Sequence, residues 1–335
     1  MNVTIKDIAK ALGISIATVS RAMSNSPEIK TETRERVLEM ARKMNYKPNI
    51  WARNLQNRQN NLIGVVVPEF ITFFFPEIIM GIQEVLNPLG YQVLICSSCE
   101  SSETERKNVC MLEKNMVDGM IVSVSHESKN RDLFERLLNE HIPLVFVNRV
   151  FEDLPSARIV IDDHKWAYKA VEHLIKAGYR KIAHLAGNEH LSVTKGRIQG
   201  YIDALTDYGI PYDPRLLMHV GVQQQVAKVG LRYLLSLKVK PDAIFAVNDP
   251  VAIGVYLELK ERGIRVPDDM GLVGFSDSPT GKVLGLSSVE QPTFEMGRKA
   301  AEMLLWQIQH KEINTETLVL DAKLNIRKSS MRQHH

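Results

Sequence analysis

Thr4-Ile5-Lys6-Asp7-Ile8-Ala9-Lys10-Ala11-Leu12-Gly13-Ile14-Ser15-Ile16-Ala17-Thr18-Val19-Ser20-Arg21-Ala22-Met23 spells two short helices and the turn between them. Thr4 is placed to cap the first helix, with Asp7 three residues on as a weak capping box. Ile5, Ile8, Ala9 and Leu12 recur at helical spacing and form one apolar face. Gly13 supplies the positive φ that ends this helix, and Ser15 caps the next. A third amphipathic helix follows, with Val37, Leu38, Ala41 and Met44 inward, and stops near Asn45-Tyr46 before Pro48. Two helices joined by a three-residue glycine turn are the helix-turn-helix unit.

The second helix carries the chemistry. With Val19 and Met23 turned inward, Ile16, Ala17, Ser20 and Arg21 lie on or near the outer face at its N-terminal end. That end of a recognition helix meets base edges in the major groove. Arg21 can donate two hydrogen bonds to guanine, and Ile16 and Ala17 can touch thymine methyl groups. Thr4, Ser15 and Thr18 are placed to hold phosphates. Residues 1–60 hold eleven Lys/Arg against five Asp/Glu, leaving 31 against 34 for the rest. A basic terminus on a near-neutral body is the footprint of a nucleic-acid binder, though a solvated charged face gives the same count.

From Asn61 onward short apolar strands alternate with helical stretches. Residues 62–67, 92–95, 120–122 and 144–147 form one set of strands, and 182–185, 218–220, 243–247 and 272–275 a second. This rhythm predicts an α/β fold of two parallel-sheet lobes, with a ligand at the carboxyl ends of the strands between them. Arg149 and Asp163 stand at such strand ends.

Other chemistry finds little support. The chain has 335 residues, enough for two or three domains. No apolar run reaches the roughly 18 residues of a membrane span. The first residues lack a basic-then-apolar leader, so the chain is expected in the cytoplasm. Cys96, Cys99 and Cys110 are expected to be reduced thiols, because a zinc site needs ligands beyond one Cys-x-x-Cys pair. No phosphate-loop, zinc-protease or serine-elbow motif occurs, His184 lies inside an apolar strand, and Asp162-Asp163 lacks a nucleophile nearby. No enzyme, metal or cofactor is expected. A secreted sugar-binding protein and an α/β enzyme with an accessory helical domain are the weaker alternatives.

Thr4 to Ala9, Gly13-Ile14-Ser15, Thr18 to Arg21 and Tyr46-Lys47-Pro48-Asn49 together resemble the head of the lactose/galactose repressor family. Ile63 to Pro68, Asp118-Gly119, His173 to Ala183, Gly196 to Tyr201 and Asn248-Asp249 are similar to its sensor domain. The resemblance implies a helix-turn-helix head (1–47), a hinge helix and linker (48–60) and a periplasmic-binding-protein-like sensor domain (61–330), with a tail at 331–335. It implies an N-lobe of about 61–161 plus 292–323 and a C-lobe of about 162–291 plus 324–330. The expected partners are double-stranded operator DNA, a sugar or related effector, and a second copy in a homodimer or higher oligomer.

The resemblance also implies that the hinge enters the minor groove, with Asn49, Ala52 and Arg53 facing DNA and Leu55 wedged between base pairs. In the body it assigns Phe74 and Phe75 to the pocket mouth, Arg197 to a ligand hydroxyl or carboxylate, and Asn248 and Asp249 to ligand hydroxyls. Three positions depart from the family pattern. Lys30 replaces a capping serine, so Thr31 is expected to cap the third helix. Trp51 replaces a small aliphatic hinge residue. Ser276 stands where sugar-binding members carry an aspartate, so either Asp277, which follows, substitutes for it or the ligand makes fewer charged contacts there.

Overall fold

A computed structural model describes residues 3–24, 26–46, 60–126 and 129–332, in two units, Met1–Asn60 and Asn61–His335. In the first unit, helices α1 (Ile5–Leu12), α2 (Ile16–Met23) and α3 (Thr31–Lys43) surround a small core of Ile8, Ala9, Val19, Ala22, Val37 and Ala41. The Asp7 carboxylate accepts the Thr4 amide at 2.9 Å and the Thr4 hydroxyl at 2.8 Å. Gly13 turns at φ +66°, and the Ser15 hydroxyl accepts the Thr18 amide at 3.0 Å. Thr31 does not cap α3: it is the first helical residue, and Lys30 at the cap position offers no acceptor. The approach to α3 is held instead by Arg34, which donates to the Ser26 carbonyl at 2.9 Å and the Ile29 carbonyl at 3.3 Å.

The second unit contains two six-stranded sheets. Strands β1 (Leu62–Val67), β2 (Gln92–Ser97), β3 (Gly119–Val122), β4 (Leu144–Val147) and β5 (Ala157–Ile161) form the first, completed near the C-terminus by β11 (Thr317–Leu320). Its order is β11-β5-β4-β3-β1-β2, all parallel, with Val65 of β1 between Ile95 and Ile121. Strands β6 (Ile182–Ala186), β7 (Leu217–His219), β8 (Ala243–Ala246), β9 (Gly271–Phe275), β10 (Ser287–Glu290) and β12 (Lys323–Asn325) form the second. Its order is β12-β10-β9-β8-β6-β7, with β12 the antiparallel member. Central strands are almost wholly buried runs of Val, Ile, Leu and Phe, as helix-covered parallel sheets require.

Four of these strands were not among the eight expected. In β5 an Arg at 158 interrupts the apolar run, β10 is Ser-Ser-Val-Glu, and β11 and β12 are edge strands with polar residues. Their strand character comes from the neighbour that pairs with them rather than from their own apolarity. The chain passes between the sheets three times, after β5, after β10 and between β11 and β12. The third passage ends at Lys323, where β12 already belongs to the second sheet.

Helices α4 (Phe74–Leu86), α5 (Ser102–Lys114) and α6 (Arg131–Asn139) follow β1, β2 and β3. Helices α7 (Asp163–Lys176), α8 (Ser192–Asp207), α9 (Ala227–Ser236), α10 (Asp249–Glu261) and α11 (Pro279–Leu284) belong to the second lobe. Helix α12 (Thr293–His310) returns to the first sheet and lies against α4. Their backbones nearly touch: a Cβ on Gly81 would stand 2.0 Å from the Phe294 carbonyl oxygen, and one on Gly297 1.9 Å from that of Ile78. No backbone can yield by that much without parting the helices. Gly81→Ala and Gly297→Ala are each expected to lower stability by about 1–3 kcal/mol or more, read as a lower urea midpoint. Unchanged midpoints would show that the helices can separate freely.

Candidate functional site

In the head, the N-terminal half of α2 faces outward. Ile16 is 45% exposed, and Ser15, Ala17 and Arg21 are exposed beside it. Ser20 and Thr18 are half-buried, and the Thr18 hydroxyl lies 2.8 Å from that of Ser15. Thr4 is exposed at the start of α1. The Arg21 guanidinium stands 3.5 Å from Glu28, an exposed pairing too weak to hold it from another partner. A large apolar side chain, a methyl group and an exposed guanidinium thus share one outer face, the residue types able to meet base edges. Asn49, Ala52, Arg53 and Leu55, with Trp51, lie outside the described residues.

In the body, a cavity of about 470 Å³ opens between the two lobes. Phe74, Phe75, Arg149, Arg197, Asn248 and Ser276 all line it. Phe74 and Phe75 meet edge to face at 5.1 Å and present an apolar wall at the start of α4. Arg149, just after β4, gives Nη1 to both oxygens of Glu100 at 2.9 Å. Burial works against the charge on Glu100, but Arg149 and the His126 amide outweigh it and hold its carboxyl below the usual range. Arg197, on α8, donates Nε to Asp163 at 2.8 Å and Nη1 to the Val247 carbonyl at 2.5 Å. Its flat face lies 3.7 Å from the centre of the Phe275 ring. Among the described residues Nη2 has no partner and remains available to a ligand. Asn248 caps α10 through the Val251 amide and donates to the Val222 carbonyl, so much of its amide holds the wall together.

Three expected ligand residues stand outside the cavity lining. Asp163 lies behind Arg197, where burial pushes its carboxyl up against the pull of the guanidinium. Asp249 is wholly buried and accepts the Ser278 amide and the Ser288 hydroxyl, each at 2.5 Å. Burial raises its pKa too. Gly274 is required beside it, because a Cβ there would meet the Asp249 carboxylate at 2.3 Å. Asp277 does not substitute for the aspartate missing at 276. The chain turns through φ +134° at Ser276 and +57° at Asp277, and the Asp277 carboxylate pairs with Arg327 at 2.5 Å and Lys282 at 3.2 Å. Burial opposes its charge, yet those two cations hold its pKa below the usual range.

Sequence reasoning missed other walls of the cavity: Glu100, Asn148, Thr194, the Gln223-Gln224-Gln225 run and Gln291. The glutamine run was visible as a polar segment following a strand. Gln291 was not, because it sits at the second passage between sheets, beyond the unrecognised β10. Among the described residues the hydroxyl of Thr194 and the side-chain carbonyl of Gln291 are buried without a hydrogen-bond partner. His184 belongs to the core: Nδ1 bonds the Phe245 carbonyl at 2.9 Å, and its ring stacks on Phe245 at 4.6 Å. Among the described residues no group of His, Cys, Asp and Glu is arranged to hold a metal, and no helix is long and apolar enough to cross a membrane.

An exposed helix-turn-helix face and a two-lobed body with a ligand-sized cleft, on one chain, fit a ligand-responsive DNA-binding regulator. The family model for bacterial regulatory proteins of the lacI family matches residues 4–49. That for periplasmic binding proteins and the sugar-binding domain of the LacI family matches residues 60–328. The transcriptional regulator DegA of Bacillus subtilis is 33% identical, over 98% of both chains. The regulator CelR in complex with cellobiose superposes at a TM-score of 0.75 with 28% identity, covering 98% of this chain and 100% of that one. The lac repressor dimer bound to operator and an anti-inducer superposes at 0.84 with 25% identity, covering 99% and 100%. The chain belongs to the LacI family and is a DNA-binding transcription regulator.

Proposed function

We propose that this regulator is a cytoplasmic repressor that binds a two-fold operator as a homodimer and releases or gains it when a sugar or related metabolite enters the cleft. The observation that carries this reading is the pairing of an exposed, Arg21-bearing recognition surface with a cleft whose arginines retain donors for a ligand. DNA contact falls to Thr4, Ser15, Ile16, Ala17, Thr18, Ser20 and Arg21, with Asn49, Ala52, Arg53 and Leu55 completing it in the hinge. Effector contact falls to Phe74, Phe75, Arg149, Arg197, Asn248 and Ser276. Two half-sites demand a two-fold partner, because each head reads only one. The exposed Met80 on α4 and Leu257 on α10 suit the body as the dimer surface. Chemistry on the ligand plays no part.

Selecting bound sites from random duplex DNA at two salt concentrations tests the reading. A palindromic site with a flexible central step, whose occupancy changes on adding a sugar, is the expected result. Non-specific binding that varies only with salt would overturn it. Arg21→Ala is expected to weaken binding to the selected site by about 1–3 kcal/mol and relax its sequence preference. Equal affinity in a gel-shift titration would remove Arg21 from the base contacts.

A further inference from the structure

The cleft does not end at the chamber described above. Glu100 from the first lobe and Val222 and Gln223 from the second also line an adjoining chamber of about 690 Å³. These three residues form a waist between the two. Glu100 faces both ways: Arg149 binds it from the first chamber, while the His126 ring approaches it at 3.0 Å from the second. Beyond the waist the walls change character. The first chamber is lined by Phe74, Phe75, Leu191, Val193 and Ile253 between its polar groups. The second is lined by His126, Asn188, Glu189, His190 and His219, with Val220 and Val226 between them.

We propose that this histidine-lined chamber is a second subsite, and that the effector is a glycoside of at least two rings, spanning the waist between Glu100 and Gln223. The inference rests on the effector reading above and narrows it. Either chamber alone falls within the roughly 300–1,000 Å³ that encloses a small ligand, so the two in series exceed what one ring needs. The second chamber's chemistry selects a neutral, hydroxyl-bearing group. Its described lining contains two carboxylates and no Lys or Arg, which disfavours a phosphate or carboxylate tail. The Nδ1 of His219 is committed to the Gly187 carbonyl at 2.8 Å, so it carries the proton and Nε2 is left as an acceptor for a hydroxyl. The Asn188 side chain is tied to the His190 amide at 3.0 Å, which fixes the loop carrying His190 at the chamber's edge. Gly221, at φ +84° with open space around its Cα, lets the chain turn between His219 and the waist without a side chain filling the passage.

Calorimetric titration of the full chain with matched sugars tests this: glucose against cellobiose and maltose, galactose against lactose, xylose against xylobiose, mannose against mannobiose. In at least one set the disaccharide is expected to bind ten-fold or more tightly than its own monosaccharide. The double variant His190→Ala/His219→Ala is then expected to erase that advantage. Both side chains are exposed, so the substitutions do not disturb the core. A monosaccharide that binds as tightly as its disaccharide overturns the second subsite and leaves the effector reading standing. An advantage that survives in the double variant overturns the assignment to the histidines. A panel in which no sugar binds overturns the subsite together with the sugar reading on which it rests.

Discussion

Replacing Arg197 with Ala is expected to do two separable things: abolish the response of operator binding to effector, and lower the stability of the body by about 3–5 kcal/mol. The first follows from the loss of a guanidinium that lines the cleft. The second follows from what stands behind it. Asp163 accepts Nε at 2.8 Å in a buried pair, and the Val247 carbonyl accepts Nη1. Without the guanidinium, a buried carboxylate is left uncompensated. Asp163→Asn in the same chain is expected to restore most of the stability and none of the effector response. Urea unfolding of the two variants, beside operator titrations with and without effector, separates the roles. A single Arg197→Ala variant as stable as the parent would mean that Asp163 reaches water, contrary to its burial.

The second large effect is on the pH dependence of stability. Burial among Phe245, Tyr201 and the strands pushes the His184 imidazole down to about 3. In the unfolded chain the same ring titrates near its ordinary 6.5. Between those values the unfolded state holds a proton that the folded state refuses, so stability rises with pH through the window and falls as pH drops below about 6.5. The slope for one such group is up to ~1.4 kcal/mol per pH unit. His173, whose pKa burial also lowers, adds in the same direction. His184→Asn, whose amide can still donate to the Phe245 carbonyl, is expected to flatten the slope between pH 4 and 5.5 by about one proton. Parallel stability profiles for variant and parent would show that His184 is not held neutral by the fold.

The head was legible almost in full, because its signals are local. The Thr4–Asp7 box, the positive φ of Gly13 and the Ser15 cap each involve residues within three or four positions of one another. Two details there differ: Thr31 is the first helical residue rather than the cap, and Leu38, expected inward, is not among the residues packed on the head's core, where Met40 is. In the body, continuous apolar runs announced the central strands. Strands β5, β10, β11 and β12 stayed hidden, since a short segment without a continuous apolar run becomes a strand only when a distant partner lies beside it.

The cleft shows the same division more sharply. The family resemblance, and for Arg149 a strand-end position, named Phe74, Phe75, Arg149, Arg197, Asn248 and Ser276, and all six line one cavity. Neither could say which carboxylates face it. Asp163, Asp249 and Asp277 occupy equally suggestive positions, yet each turns toward a partner within the protein: Arg197, Ser288 and the half-buried Arg327. The sequence by itself determined the helix-turn-helix of the head, the central strands of the two sheets and the polar groups near their ends. Only the tertiary structure decided which of those groups spend their hydrogen bonds inside the protein. The physical reason is that a buried carboxylate must be compensated, and its compensating partner lies 34 to 50 residues away along the chain.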